Sequence, residues 1–527
     1  MQRRRGLIVQ AILIVSGIGG LAHAQLTDQT QTPNTARAGI FKSLEEQMGP
    51  GRGDPYQWNS STYLIQRDPF RAIVRGRQLF QRKFTAHQGM GPRTQDGVGD
   101  IEQDGSIGAG LSDSCASCHS RPFGSAGFGG NVFTRPESRD APHLFGLGLV
   151  EMLADEITAD LRAIRAKAIT QSQRRGRPVA ALLESKGIVY GSITAFRDGS
   201  VDTSLVEGVD ADLRVRPFFA EGRTISIREF VVGALNAEMG LEAFDPDTFD
   251  SSGGRDVMTP AGMWLRGSLD VIEPPPASSS EEDPDGDGIT NEAPAALADY
   301  LEFYLLNYFK PAVDEARTKP NDRGLFEDIG CATCHVPDLT IDFDRRVADV
   351  ETRNDPKRSN GVFNGLFATA TPLFVSIDDG TGLPPIKQPL GKGFVVKNIF
   401  ADFKRHDLGP EFHERNFDGS VTTHFMTEPL WGVASTPPYG HDGRSQTLRD
   451  VIVRHGGEAS ESRERFFDLS DHKQARVLAF LESLTLFSPP DTSSNLDLAD
   501  RAHPDFPFQG RGSLDLSVLF NDPTEKE

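Results

Sequence analysis

The sequence contains few cysteines, no excess of positive charge and no long apolar run beyond its first residues. Only 4 of the 527 residues are cysteines, and the formal net charge is -20. A surface this acidic repels nucleic acid and anionic lipid, so we expect no nucleic-acid partner. It suits a cationic protein partner, and solubility alone is the alternative explanation. With 37% hydrophobic and 25% charged residues, the composition is that of a globular rather than a disordered chain.

The one long apolar stretch lies at the N-terminus and is typical of a secretory signal. Arg3, Arg4 and Arg5 precede an apolar segment at 7–21, and small residues flank a cleavage position before Gln25. The segment is shorter than the roughly 20 residues that span a bilayer, so we expect cleavage rather than a retained anchor. The sequence therefore predicts a signal peptide at 1–24, no later membrane span, and a mature protein in the periplasm or outside the cell.

All four cysteines fall in two matching pentapeptides of the form Cys-Ala-x-Cys-His. The residues are Cys115, Cys118 and His119 in the first, and Cys331, Cys334 and His335 in the second. Exported proteins ordinarily pair cysteines in disulfides, but this spacing is the pattern of c-type haem attachment. Two thiols three positions apart can each bond a porphyrin vinyl group, and the adjacent histidine then serves as the proximal iron ligand. We predict two covalently bound haem c groups.

Two other chemistries use similar spacings. A structural zinc ion needs four ligands from one neighbourhood, whereas each pentapeptide offers three. A redox-active dithiol requires neither the following histidine nor a second copy. Both alternatives therefore account for less of the pattern than haem does.

The chain is too long for one core, at roughly 100–200 residues per domain. Similar phrases, Arg77-Gln78-Leu79-Phe80 and Arg323-Gly324-Leu325-Phe326, precede the two pentapeptides and indicate an internal duplication. The predicted order after the signal peptide is an N-terminal extension (25–66), a first cytochrome c-like domain (67–270), a linker (271–295), a second such domain (296–490) and a tail (491–527).

Helical spacing and β-branched runs indicate the secondary structure inside these domains. Apolar stripes at helical spacing start at Leu297, Leu448 and Val477, and the second stripe includes His455. Residues 180–225 and 370–400 have extended character. We expect a mainly α fold, two cytochrome c-like domains with extended loops and minor β decoration.

The linker ends in an acidic loop that resembles a calcium-binding loop. Asp283, Asp285 and Asp287 stand at alternate positions before a glycine, and Glu292 follows. The twelfth position of the loop is Pro294 instead of an acid, so a solvated acidic turn remains the alternative. The sequence thus offers calcium as a second candidate cofactor.

Several C-terminal phrases resemble those of the di-haem c-type oxidoreductase family, whose members are also called thiol oxidoreductases. These phrases are Pro429-Leu430-Trp431-Gly432, Tyr439-Gly440-His441-Asp442-Gly443, His455-Gly456-Gly457-Glu458-Ala459 and His406-Asp407-Leu408-Gly409. The family is related to bacterial di-haem cytochrome c peroxidases and to di-haem rubber oxygenases. The resemblance implies one fully ligated haem that moves electrons and a second haem with an open position for peroxide or oxygen.

The resemblance leaves the distal iron ligands open. Related peroxidases have a methionine where this chain has Gly440, so methionine ligation cannot be carried over to this position. We take His441 as the first candidate for the second haem, followed by His406 and Met426, and His143 as the candidate for the first haem. A structural histidine is the alternative at each position.

Three functions follow from these predictions. The preferred one is a periplasmic, peroxidase-like di-haem oxidoreductase that passes electrons from a small redox protein, a cationic cytochrome or a cupredoxin, to peroxide or oxygen. The alternatives are a non-catalytic di-haem electron carrier, which would need much less chain, and a di-haem oxygenase acting on an organic small molecule.

Overall fold

The computed structural model describes residues 43–91, 112–119, 126–127, 129, 131–132, 139–308, 311–319, 321–354, 366–416, 418–486 and 512–514. Helices occur throughout this part of the chain. They are α1 (Leu44–Met48), α2 (Ser61–Arg67), α3 (Pro69–Gln81), α4 (Cys115–Cys118), α5 (Leu147–Arg175), α6 (Ile227–Met239), α7 (Pro246–Ser252), α8 (Ala295–Leu306), α9 (Asp322–Asp328), α10 (Leu448–Arg454), α11 (Ser460–Asp468) and α12 (Asp471–Leu481).

The ends of these helices follow from local sequence. The Ser226 side chain accepts a hydrogen bond of 3.0 Å from the Glu229 backbone N–H at the start of α6, and Gly240 ends that helix in a left-handed conformation. Thr447 and Asp450 form a reciprocal capping box at the start of α10. The predicted stripes at Leu297, Leu448 and Val477 lie on α8, α10 and α12.

Short strands are interleaved with the helices. In the first half they are β1 (Asn131–Val132), β2 (Arg139–Asp140), β3 (Val179–Ser185), β4 (Ile188–Ala195), β5 (Val201–Val206), β6 (Asp256–Met258) and β7 (Trp264–Arg266). In the second half they are β8 (Ala312–Val313), β9 (Leu339–Ile341), β10 (Ala348–Asn354), β11 (Leu366–Pro372), β12 (Phe374–Ile377), β13 (Ile386–Pro389), β14 (Phe394–Val396), β15 (Arg405–His406), β16 (Glu414–Arg415), β17 (Val421–Thr422), β18 (Phe425–Met426), β19 (Leu484–Thr485) and β20 (Gly512–Leu514).

The predicted fold class, mainly α with two cytochrome c-like domains and minor β decoration, is wrong. Among the described residues the strands form nine small sheets, including the antiparallel meander β3-β4-β5 and the sheet β10-β11-β20, and these sheets occur in both halves of the chain. Most of the strands have only two to four residues. In a strand this short, apolar and polar residues alternate too few times for the pattern to be distinguished from a loop.

The larger core joins α8 to the first half of the chain. Helices α3 and α8 pack so closely that a Cβ at Gly76 would lie 2.2 Å from the Tyr300 carbonyl oxygen. The Phe80 ring meets the Tyr304 ring edge-on, with 5.7 Å between centroids. Helix α8, which begins the predicted second domain, therefore packs on the helix that precedes the first pentapeptide.

A smaller core forms around the second pentapeptide. Its buried members come from α9, α10, α11, α12 and nearby segments, namely Phe326, Ile329, Phe400, Leu448, Phe466, Val477, Phe480, Leu481 and Leu484. Cys331 and Ala332 pack against it as partly buried residues. The second attachment segment is therefore fixed by its own set of aromatic contacts.

A buried network of charged side chains ties the N-terminal segment, α6 and α8 together. Arg228 is fully buried and forms ion pairs with Asp245, Asp299 and Glu302. Arg52 also pairs with Asp299, at 2.6 Å. Burial of so many charges is tolerated only when each is paired.

Some predictions concern parts of the chain outside this description. The signal peptide at 1–24 lies outside the described residues, as does the tail apart from β20. Within the described residues, no helix combines the length and apolar character that a membrane crossing requires.

Candidate haem-binding site

The first attachment segment is a single helical turn followed by a histidine. Cys115 and Cys118 stand at the two ends of α4, and His119 follows directly. The Nδ1 atom of His119 lies 2.7 Å from the Pro142 carbonyl oxygen. Because a carbonyl oxygen can only accept, Nδ1 carries the proton and the lone pair of the neutral ring is on Nε2.

The second segment repeats this arrangement with a tighter turn. Cys331–Thr333 form a 3₁₀ turn, and the Nδ1 atom of His335 donates to the Phe400 carbonyl oxygen at 3.0 Å. Nε2 of His335 is again the nitrogen with the lone pair. Histidines that ligate metals commonly use their other ring nitrogen in this way, which fixes the tautomer and the ring orientation.

The phenylalanines of the repeated phrases occupy equivalent places. The Phe80 ring lies 6.5 Å from the His119 ring, and the Phe326 ring lies 6.3 Å from the His335 ring, measured between centroids. Both phenylalanines are buried. The shared phrase therefore provides a rigid apolar support for each histidine.

Burial keeps both histidines neutral. It lowers the pKa of His119, against the opposing effect of its backbone hydrogen bonds. Burial, followed by the charge of the nearby His455, lowers the pKa of His335 to about 4. An iron ligand must be unprotonated on the coordinating nitrogen, so both rings are in the required state near neutral pH.

The cysteines are also in the state that haem attachment requires. None of the four forms a disulfide, and each keeps part of its surface accessible. A helical turn that presents two unpaired thiols beside a neutral imidazole fits a covalently held porphyrin. The residues present at both segments therefore fit haem c.

The structure places His143 beside the first segment with both ring nitrogens engaged. Its Nε2 donates to the Trp431 carbonyl oxygen at 3.0 Å, and its Nδ1 accepts from the Phe145 backbone N–H at 3.2 Å. Burial lowers the pKa of His143 to about 4, with a smaller contribution from the charge of His119. In this tautomer, neither nitrogen of His143 offers a lone pair to iron.

His441 lies in a charged and aromatic cluster. Its ring stacks on Phe425 with 4.0 Å between centroids, and its Nε2 lies 3.9 Å from a carboxylate oxygen of Glu414. Glu414 in turn pairs with Arg139 from β2. Burial, reinforced by the charge of Arg139, lowers the pKa of His441 to about 4.

His406 is held between two carboxylates. Its Nε2 lies 2.9 Å from an Asp402 oxygen and its Nδ1 lies 2.7 Å from a Glu458 oxygen. Although burial opposes protonation, the hydrogen bond to Asp402 and neighbouring groups raise the pKa of His406 to about 11. An imidazolium has no lone pair, so His406 in this state ligates neither iron nor a zinc ion held with the nearby Cys334 and Asp402.

Met426 and Gly440 complete the survey of the predicted distal positions. The Met426 sulfur lies 3.0 Å from the position that a Cβ would take at Gly222. Gly440 has a φ of +85°, and a Cβ there would lie 2.9 Å from an Asp442 oxygen. A side chain at position 440 would therefore be strained, which agrees with the missing methionine.

In the sequence, His455 belongs to an ordinary apolar stripe, and the structure adds a hydrogen bond that fixes its tautomer. It follows α10, and its Nδ1 donates to the Val451 carbonyl oxygen at 2.7 Å. This is the tautomer found at His119 and His335. Helical spacing in the sequence does not distinguish a histidine packed in a core from one that could bind a metal.

The acidic loop brings its three aspartates together, and Glu242, a residue that the sequence pattern did not include, lies close to one of them. Oxygens of Asp283, Asp285 and Asp287 lie within 4.8 Å of one another, and a second group of Glu242, Asp285 and Glu292 meets the same criterion. Glu242 follows α6, far from the loop in sequence, so local spacing could not reveal it.

Comparison with known proteins gave one family match. Residues 344–484 match the family described as "Di-haem oxidoreductase, putative peroxidase". The match confirms the predicted resemblance to di-haem oxidoreductases over these residues. A search of the curated proteins found no match.

Proposed function

With a di-haem oxidoreductase as the premise, we propose that the protein is an exported, peroxidase-like enzyme with both haems covalently attached as haem c. The observation that carries the proposal is the repeated arrangement of the two segments. In each, a pair of free thiols precedes a buried neutral histidine whose Nδ1 donates to a backbone carbonyl. Cys115, Cys118 and His119 would hold one haem, and Cys331, Cys334 and His335 the other.

When bound, haem iron supplies electron transfer and the two-electron reduction of hydrogen peroxide to water, which consumes two protons. The chain's own contribution is to fix and shield the two sites. The Pro142 and Phe400 carbonyls hold the histidine tautomers, and Phe80 and Phe326 exclude water from one side of each ring. The buried setting also keeps each imidazole neutral, as coordination requires.

The electron donor in this proposal is a small cationic redox protein that binds the acidic, exported enzyme. The net charge of -20 supports this assignment, because opposite charges accelerate encounter. Such steering weakens as salt screens the charges. We therefore expect turnover with a reduced basic cytochrome or cupredoxin to fall steeply as ionic strength rises.

Calcium at the acidic loop is a further part of the proposal. Carboxylate oxygens from Asp283, Asp285 and Asp287 are the ligands that calcium prefers, and Glu242 and Glu292 form a second group with Asp285. A calcium ion there would join the end of α6 to the segment before α8. Its role would be structural.

The test begins with haem counting on protein matured in a host that attaches haem c. A pyridine haemochrome assay and an intact mass should give two haems per chain. Peroxide added with a reduced donor should then be consumed at two electrons per peroxide. Colourless protein with the mass of the bare polypeptide would exclude the proposal. Two haems inert to peroxide would favour the electron carrier, and oxygen uptake with an organic substrate would favour the oxygenase.

A further inference from the structure

His455 ends α10 with one ring nitrogen occupied and the other carrying a lone pair. The Val451 carbonyl oxygen can only accept, so the 2.7 Å contact fixes the proton on Nδ1. Burial lowers the pKa of His455, which favours the neutral ring. This leaves Nε2 of His455 able to coordinate a metal, as Nε2 of His335 is.

His455 belongs to the helix face that packs against the second attachment segment. Leu448, Ile452 and His455 are spaced by four and three positions, so they share one face of α10 and its end. Leu448 and Ile452 pack in the smaller core together with Cys331 and Ala332. Phe400 belongs to the same core, and its carbonyl oxygen accepts the hydrogen bond from Nδ1 of His335. The face of α10 that leads to His455 and the ring of His335 are therefore joined through one core.

The chain after His455 is locked to the loop beside Cys334. The Gly456 N–H donates to the Leu408 carbonyl at 2.9 Å, and the Glu458 N–H donates to the Asp407 carbonyl at 2.9 Å. In addition, the Glu458 side chain accepts a hydrogen bond of 3.0 Å from the Asp407 backbone N–H. The two phrases that begin with His406 and His455 are thus one interlocked unit.

His406 adds a further connection between the two phrases. Its Nδ1 lies 2.7 Å from a Glu458 oxygen, which joins the end of the His455 segment to the loop. The ligand atoms of His406, Asp402 and Cys334 lie within 4.8 Å of one another. The segment that contains His455 is therefore tied directly to the side of the second attachment site.

We propose that His455, through Nε2, is the second axial ligand of the haem held by Cys331, Cys334 and His335. The proposal rests on haem attachment at that segment, as given under the proposed function. Imidazole on both sides makes this iron six-coordinate and suited to electron transfer. His143, with both ring nitrogens engaged, would not ligate the first haem in the same way.

The test compares ferric electron paramagnetic resonance and near-infrared magnetic circular dichroism spectra of holo wild type, His455→Ala and the exposed control His472→Ala. Wild type and control should show one low-spin haem with two nitrogen ligands. His455→Ala should convert this haem to high spin while the haemochrome assay still counts two haems. Added imidazole should restore the low-spin signal.

His455→Met covers the case in which the alanine variant fails to fold. Methionine should retain a low-spin iron but move its near-infrared charge-transfer band to the position of histidine–methionine ligation. An unchanged low-spin signal in His455→Ala, or loss of that signal in His441→Ala instead, would overturn the assignment. Absence of covalent haem in wild type would overturn the proposed function itself, so the two failures are distinguishable.

Discussion

Arg228 and Asp299 form an ion pair with both side chains fully buried, at 2.9 Å between Nη1 and a carboxylate oxygen. Asp245 and Glu302 complete the surroundings of the same guanidinium. Removing the cation leaves three buried acids without it, so Arg228→Met should lower the free energy of unfolding by about 3–5 kcal/mol.

Urea unfolding followed by far-ultraviolet circular dichroism measures this loss. The control is Arg223→Met, whose ion pair with Glu273 is about half exposed on both sides. It should cost less than about 1 kcal/mol. Equal losses in the two variants would show that the buried network has no special role.

Glu302 should make stability depend on pH. Burial, opposed by Arg228, raises the pKa of Glu302 from 4.5 to about 7. Between these values the folded state holds a proton that the unfolded state has released, so this contribution to stability is full at low pH and is lost as pH rises through about 7. Glu302→Gln should therefore reduce the decline in stability between about pH 5 and about pH 8.

The readout is the urea midpoint across that range. Some decline should remain, because burial also raises the pKa of Glu151. The exposed substitution Glu281→Gln should keep the wild-type profile. A Glu302→Gln profile identical to wild type would contradict the assignment.

Gly457 should not tolerate a side chain. It has a φ of +48°, and a Cβ there would lie 2.1 Å from the Asp407 carbonyl oxygen. Gly262 has a φ of +85° with open space around the same position. Gly457→Ala should thus destabilise by more than about 1 kcal/mol, and by more than Gly262→Ala, because the matched variant adds backbone strain alone. Thermal unfolding compares the stability of the two variants. Equal losses of stability would show that Gly457 does not pack closely against the Asp407 carbonyl.

Each attachment segment should account for one haem. Replacing both Cys115 and Cys118 by alanine removes the two thioether bonds available there, so the mature protein should carry one covalent haem at Cys331 and Cys334. Ser117→Ala, between the same cysteines, should keep two. Intact mass and haemochrome absorbance give the count, and two haems in the double cysteine variant would refute the assignment.

Calcium should bind the acidic loop with help from Glu242. Glu242→Gln should weaken calcium binding about as strongly as Asp285→Asn, since their oxygens lie in one group. Glu281→Gln, outside this group, should have no effect. Isothermal titration with calcium after chelator treatment tests this, and absence of binding to wild type would identify the loop as a solvated turn.

The sequence revealed those residues whose pattern lies within one short segment of the chain. The pentapeptides, the stripe at Leu297 and the aspartates of the loop each depend on fixed spacing within one segment, and the stripe at Leu297 lies on α8 as expected. The two-residue strands escaped because they have no visible period, whereas β4, β5, β12, β13 and β14 lie in the ranges 180–225 and 370–400 that we expected to be extended.

The residues that the sequence missed depend on contacts between distant segments. Glu242 joins the loop only through the fold, and the hydrogen bond from His455 to the Val451 carbonyl is not visible in the sequence. The candidates His143 and His441 stay predictions from residue type, and the tautomer of His143 and the stacking partner of His441 appear only in three dimensions.

The packing of α3 on α8 has a consequence for biosynthesis. The face of α3 that contains Gly76 and Phe80 cannot complete its packing until Tyr300 and Tyr304 on α8 dock against it. The first attachment segment, at Cys115 and Cys118, lies between these two helices in the sequence. We therefore expect a covalently bound haem to be in place before this core closes.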